Sequence, residues 1–135
     1  MKSRTIVFAV ALACAACGSG GLYPVKGSVT HKGRPAVGAT VTFVPRGQAD
    51  RAGAAQGVVG EDGSFEVAGP AGKGLAPGEY AVLVEWKEGA GRGRGRSPAL
   101  NAPDRLKKRY LDPDRPLLTA RVEAKANKLA PFEVE

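Results

Sequence analysis

The chain is short of the residues that build reactive or cross-linked sites. It has two cysteines, Cys14 and Cys17, both at the extreme N-terminal end, so no disulfide can staple the remainder. His31 is the single histidine. One histidine without a cysteine or acid beside it in sequence does not build a zinc site, and no metal is expected. Serine nucleophile chemistry needs a supported base, and His31 sits unsupported in a turn. Aromatic residues make up 6% of the chain, with one tryptophan, Trp86, which leaves few rings for stacking on bases or sugars. The longest apolar run, Ile6 to Ala16, falls well short of the roughly 20 residues of a spanning helix.

Glycine and proline are abundant, at 19 and 10 of 135 residues, as expected for short strands joined by many turns. That length suits one domain, and a chain of this size buries enough surface to stand without disulfides. The formal net charge is +7. Lys2 and Arg4 contribute two of those charges, and much of the remaining excess sits in one segment, so it bears on that segment rather than on the fold.

Met1 to Arg4 is basic, Ile6 to Ala16 is apolar, and small residues follow, the order of a secretory signal peptide. Ala15-Ala16-Cys17 resembles the end of a bacterial lipoprotein signal, in which the cysteine is acylated and becomes the new N-terminus. The position three before Cys17 is Cys14, where such signals usually carry leucine or a similar residue. Acylation at Cys14, and simple secretion without acylation, remain the alternatives. The expected organisation is a signal peptide over 1–16, a flexible tether over 17–22 and a β-sandwich over 23–135. Two or three acyl chains on Cys17 would hold the protein firmly to a membrane on the cell-envelope side, either periplasmic or at the outer membrane.

Val25 to Pro45 alternates apolar and polar residues on either side of His31-Lys32-Gly33-Arg34-Pro35, which predicts two strands and a hairpin turn. Val25, Gly27 and Val29 share one face, as do Ala39, Val41 and Phe43. Glu61-Asp62-Gly63 predicts a tight turn in a second hairpin, between Ala54–Val59 and Ser64–Val67. The same two acids could suggest calcium, but such a site wants six or more oxygens. Ala68 to Gly78 reads as irregular. Glu79 to Lys87 is the strongest strand, with Tyr80, Val82, Val84 and Trp86 on its apolar face and Ala81, Leu83, Glu85 and Lys87 on a mixed outer face. Asp104 is placed to cap a short helical turn that docks Leu106 and Tyr110. Leu117–Ala124 and Leu129–Val134 complete seven strands, with no long helix and no internal repeat. The pattern predicts an all-β, seven-stranded antiparallel sandwich with Greek-key, prealbumin-like connections.

Taken together, V-K-G-S-V-T-H-K-G-R-P-A-V-G-A-T-V-T-F-V-P, E-D-G-S-F-E and P-G-E-Y-A-V-L-V-E-W resemble the carboxypeptidase regulatory-like domain, a small sandwich of transthyretin type. The tail, from L-K-K-R-Y-L-D-P-D-R-P to A-N-K-L-A-P-F-E-V, is similar to the end of short bacterial lipoproteins carrying one such domain. The resemblance covers about residues 17–135 and implies a non-catalytic module for protein or glycan interaction, or for envelope structure. A hydrolase of urate breakdown shares the transthyretin-like fold, but it uses several histidines and a C-terminal Tyr-Arg-Gly-Ser motif. This chain ends Pro131-Phe132-Glu133-Val134-Glu135.

Glu88 to Ser97 carries Arg92, Arg94 and Arg96 between glycines. With Lys107, Lys108 and Arg109, these residues are the candidate anion-binding set, suited to an acidic polysaccharide or another anionic polymer. The interleaved aromatics of a single-strand nucleic-acid binder are missing, and an exported address argues against nucleic acid. The segment also reads as a solvated loop that buries nothing, so that removing Gly91–Gly95 should leave stability within about 1 kcal/mol. No cofactor is expected, and the chain is expected to be monomeric. Exposure of Tyr23, Tyr110 or Trp86 in a flat patch would favour sugar stacking.

Overall fold

Val25 and Val29 point inward from the first strand and are fully buried, which gives that strand its register. A computed structural model describes residues 21–47, 54–93 and 97–135. Among them there is no helix and there are two sheets. The signal peptide, Cys14, Cys17, Arg94 and Arg96 lie outside the described residues.

The first sheet is built on β1 (Val25–His31). Two antiparallel strands, β2 (Arg34–Pro35) and β5 (Ser64–Glu66), pair along β1. It also pairs with β10 (Asn127–Lys128) and β11 (Phe132–Val134), both parallel to it. The second sheet runs β7 (Gly72–Lys73), β6 (Ala68–Gly69), β4 (Ala55–Val58), β3 (Thr40–Pro45), β8 (Gly78–Glu85), β9 (Leu118–Val122). The all-β sandwich is therefore as expected, with eleven short strands where seven were read and two parallel pairings in place of a wholly antiparallel arrangement. The parallel pairs arise because the chain leaves β9, crosses to the other sheet and then runs alongside β1 in the same direction.

Neither predicted hairpin forms in the expected way. Lys32 (φ 50°) and Gly33 (φ 75°) make a two-residue turn with both residues left-handed, and this returns β1 only onto the two residues of β2. The chain then crosses to the second sheet as β3, so β1 and β3 face each other across the core. Similarly, β4 pairs with β3 while β5 pairs with β1. The Glu61-Asp62-Gly63 turn thus links the two sheets. Alternation alone identifies strands and faces, but a turn signal does not say whether the next strand stays in the same sheet.

The core lies between the sheets. Val25, Val29, Val41, Phe43, Phe65, Val82 and Val84 are at its centre. Phe43 contacts Phe65 and Tyr80 at ring-centroid distances of 6.0 and 6.3 Å. Leu118, Ala120 and Val122 face this core from β9, as their alternation predicts. The outer face of β8 differs from expectation. Ala81 and Leu83 are buried there in a second small cluster with Val44, Ala54 and Leu111, because the chain after β8 folds back over that face.

Two ends of the sandwich follow from the strand directions. The described chain enters at Gly21, and Tyr23 exchanges backbone hydrogen bonds with Leu75 at 2.9 and 3.0 Å. From this entry end β1 runs up to His31, and β8 runs up to Trp86 in the other sheet. At about 3.3 Å per residue the two ends are about 20 Å apart.

Candidate functional site

Above Val82, β8 has no partner from β9, because that pairing stops at Val82–Leu118. Its free edge would expose the N–H groups of Val84 and Trp86. The segment Asp104–Leu111 covers them. Val84 N–H donates to the Tyr110 carbonyl at 3.1 Å, and Trp86 N–H donates to Asp104 Oδ1 at 2.9 Å. Arg105 N–H donates back to the Trp86 carbonyl at 2.8 Å.

Asp104 is the hub of this clasp. Its Oδ1 also accepts from Leu106 N–H at 3.1 Å, and its Oδ2 accepts from Lys108 N–H at 2.8 Å. The capping role expected of Asp104 is present, in a run of turns rather than in a helix. Leu106 and Tyr110 are buried, as predicted. Tyr110 Oη accepts from Glu135 N–H at 3.2 Å, which ties the tail to the same segment.

Trp86 occupies the mouth of the core at this end. It is 7% exposed, and its indole N–H donates to the Val37 carbonyl at 2.9 Å. The guanidinium of Arg105 lies 3.7 Å from the ring centroid, within cation–π distance. The His31 ring meets the same indole edge-on at 5.4 Å. Arg105 is exposed, and among the described residues its guanidinium makes no ion pair or side-chain hydrogen bond. Such stacking is worth about 0.5–1 kcal/mol at an exposed site and holds the planar fork in place.

The candidate anion-binding residues converge in part. Gly38 and Gly91 both have positive φ, and a Cβ on Gly38 would run into the backbone N of Gly91. The base of the Arg-Gly loop is therefore docked against Val37 and Gly38, which corrects the expectation that it buries nothing. That contact brings the exposed Arg92 to the Trp86 end. Lys107 and Lys108 belong to the clasp through Asp104, and their side chains are exposed. Arg109 approaches Glu135 at 3.8 Å. The sequence reading missed Arg105 and the placing of His31 beside Trp86. Only the adjacency of Asp104 and Arg105 hinted at the former, and nothing in the spacing hinted at the latter.

The outer face of the second sheet forms an open groove of about 980 Å³. Thr40, Thr42, Gln56, Glu61, Glu85 and Lys87 line it. In register, Thr40 lies between Val58 and Glu85, and Thr42 between Gln56 and Leu83. Val37 also lines the groove, so groove and clasp adjoin there. A second cavity of about 450 Å³ lies at the entry end among Pro70, Ala71, Gly74 and Pro77. Trp86 and Tyr110 are both 7% exposed and Tyr23 is half-buried, so these rings form no flat patch for sugar stacking.

At the Glu61-Asp62-Gly63 turn, Asp62 Oδ1 accepts from Ser64 Oγ at 2.7 Å and from Ser64 N–H at 3.0 Å. These bonds hold its carboxyl below the ordinary value. The acid is thus engaged in the turn itself.

No family model matches the chain. No curated protein matches it. Among solved structures, it is similar to a DUF3823 family protein from Parabacteroides merdae ATCC 43184, at 16% identity with a TM-score of 0.43, over 83% of this chain. It spans less than half of that chain, 45%.

Proposed function

We propose that the protein is an exported lipoprotein, anchored by acyl chains on Cys17, whose non-catalytic sandwich presents an interaction end to protein or glycan of the cell envelope. The observation that carries this reading is the placing of the two ends. The chain enters the described structure at Gly21, and the Trp86 clasp lies at the far end of β1 and β8. The tether over 17–22 would hold the clasp away from the membrane. The basic N-terminal segment, the apolar run and Ala15-Ala16-Cys17 support export and acylation. The resemblance to the carboxypeptidase regulatory-like domain and to short bacterial lipoproteins supports the module role.

Membrane fractionation tests this reading. The wild-type protein is expected in the membrane pellet after a high-salt wash, and Cys17→Ser in the soluble fraction, with Cys14→Ser still anchored. A Cys17→Ser variant that still pelleted would sink the lipidation reading.

A second reading, binding of an anionic polymer through the Arg-Gly loop, is favoured by one observation. The Gly91 contact with Val37 brings Arg92 to the same end as Lys107 and Lys108.

A further inference from the structure

We propose that Arg105, whose guanidinium lies over the Trp86 ring, is the gripping residue of a site for acidic polysaccharide, in which it takes the carboxylate of a uronic acid unit. The inference deepens the display reading and rests on it. An arginine is a specific reader of planar anions when its fork is held in one orientation and its N–H edge is free. Both conditions are met here. The indole carries the guanidinium at 3.7 Å, and among the described residues no acid or carbonyl takes its N–H groups. Trp86 is itself fixed by three backbone or ring hydrogen bonds, to Asp104, Arg105 and Val37. The stack biases the side chain toward this orientation before any ligand arrives, which lowers the cost of ordering it on binding.

The adjoining groove narrows the ligand class. Thr40, Thr42 and Gln56 offer hydroxyl and amide groups, and among the described lining residues two carboxylates, Glu61 and Glu85, stand against one lysine, Lys87, which lies 3.3 Å from Glu85. A densely charged polyphosphate or nucleic acid would find there one lysine, already paired, against two carboxylates. A chain of mostly hydroxyl groups with one carboxylate per sugar fits a hydrogen-bonding floor that meets the clasp at Val37, whose carbonyl holds the indole beneath Arg105. The site is about 20 Å from the entry end, which disfavours the headgroups of the anchoring membrane as the ligand.

Because Trp86 is the only tryptophan, its emission reports on the stack itself. The chain from residue 17, carrying Cys17→Ser, is titrated with oligogalacturonate, neutral dextran and polyphosphate, and emission is followed. Oligogalacturonate is expected to give a saturable change and the other two none. Arg105→Lys keeps the charge but loses the fork, and should weaken binding about tenfold or more. Lys107→Gln with Lys108→Gln should change it by less than about threefold. Gln56→Ala, exposed on the groove floor, should weaken it by about threefold or more without touching the clasp. Unchanged binding in Arg105→Lys, no effect of Gln56→Ala, a preference for polyphosphate, or no binding of oligogalacturonate would each overturn the inference. The titration does not depend on Cys17, so its failure is distinguishable from failure of the anchor reading in the fractionation above.

Discussion

The carboxylate of Asp104 accepts the backbone N–H of Trp86 at 2.9 Å, from a position 18 residues further along the chain. With Leu106 N–H and Lys108 N–H it makes three charge-assisted bonds. Asp104→Ala removes all three and leaves the edge of β8 uncovered at Trp86. It should cost about 2–3 kcal/mol, and Asp104→Asn, which keeps one acceptor, should cost less. Urea unfolding followed by Trp86 emission measures both. Equal stability of wild type and Asp104→Ala would show that the clasp is incidental.

Holding that turn together forces two successive lysines into the left-handed region, Lys107 at φ 54° and Lys108 at φ 59°. A non-glycine residue there costs about 1–2 kcal/mol, part of which glycine recovers at the expense of a freer unfolded chain. Lys108→Gly should therefore raise stability by about 0.5 kcal/mol. Lys108→Val, whose branched side chain is disfavoured in this region, should lower it by about 1 kcal/mol or more. The two variants moving in the same direction would contradict the strain.

Gly91 and Gly93 separate backbone conformation from contact. Both have positive φ, but a Cβ on Gly91 would lie 2.7 Å from the Val37 carbonyl oxygen, while one on Gly93 meets open space. Gly93→Ala should cost about 1 kcal/mol, and Gly91→Ala about 2 kcal/mol or more. Thermal melts of the two variants check this. Equal costs would mean that the loop base does not pack on Val37.

Tyr80 links stability to alkaline pH. Its Oη donates to the Ala76 carbonyl at 2.7 Å, and burial raises its pKa above the ordinary 10.0. The neutral phenol is the form the fold favours. Its contribution is therefore complete below the unfolded value and is lost as pH rises through the folded one. Near neutral pH, Tyr80→Phe should be less stable than wild type by about 1 kcal/mol. That difference should shrink above about pH 10. A constant difference across that range would contradict the assignment.

Much of the sandwich was legible because burial imposes a period of two. The inward sets Val25–Val29, Ala39–Phe43 and Tyr80–Trp86 were correct, and so were Leu106 and Tyr110 as docking residues beside Asp104. What the chain did not announce was pairing. The Lys32-Gly33 turn returns β1 onto only two residues, and β3 then changes sheets, a choice set by core packing across the whole molecule. The outer face of β8 looked polar because Glu85 and Lys87 are on it, yet Ala81 and Leu83 are buried by a segment nearly thirty residues away around Leu111. The stack of Arg105 on Trp86 was hidden for the same reason. It is a long-range contact between two residues that carry no shared motif.

The central claim is that one end of the sandwich faces the anchoring membrane and the other faces the envelope. A photo-crosslinking residue placed in the full-length protein at Arg46, at the entry end, or at Arg105, at the clasp, tests it directly in living cells. The account predicts phospholipid adducts from position 46, and glycan or envelope-protein adducts without lipid from position 105. Lipid adducts from position 105, or identical adducts from both positions, would contradict it.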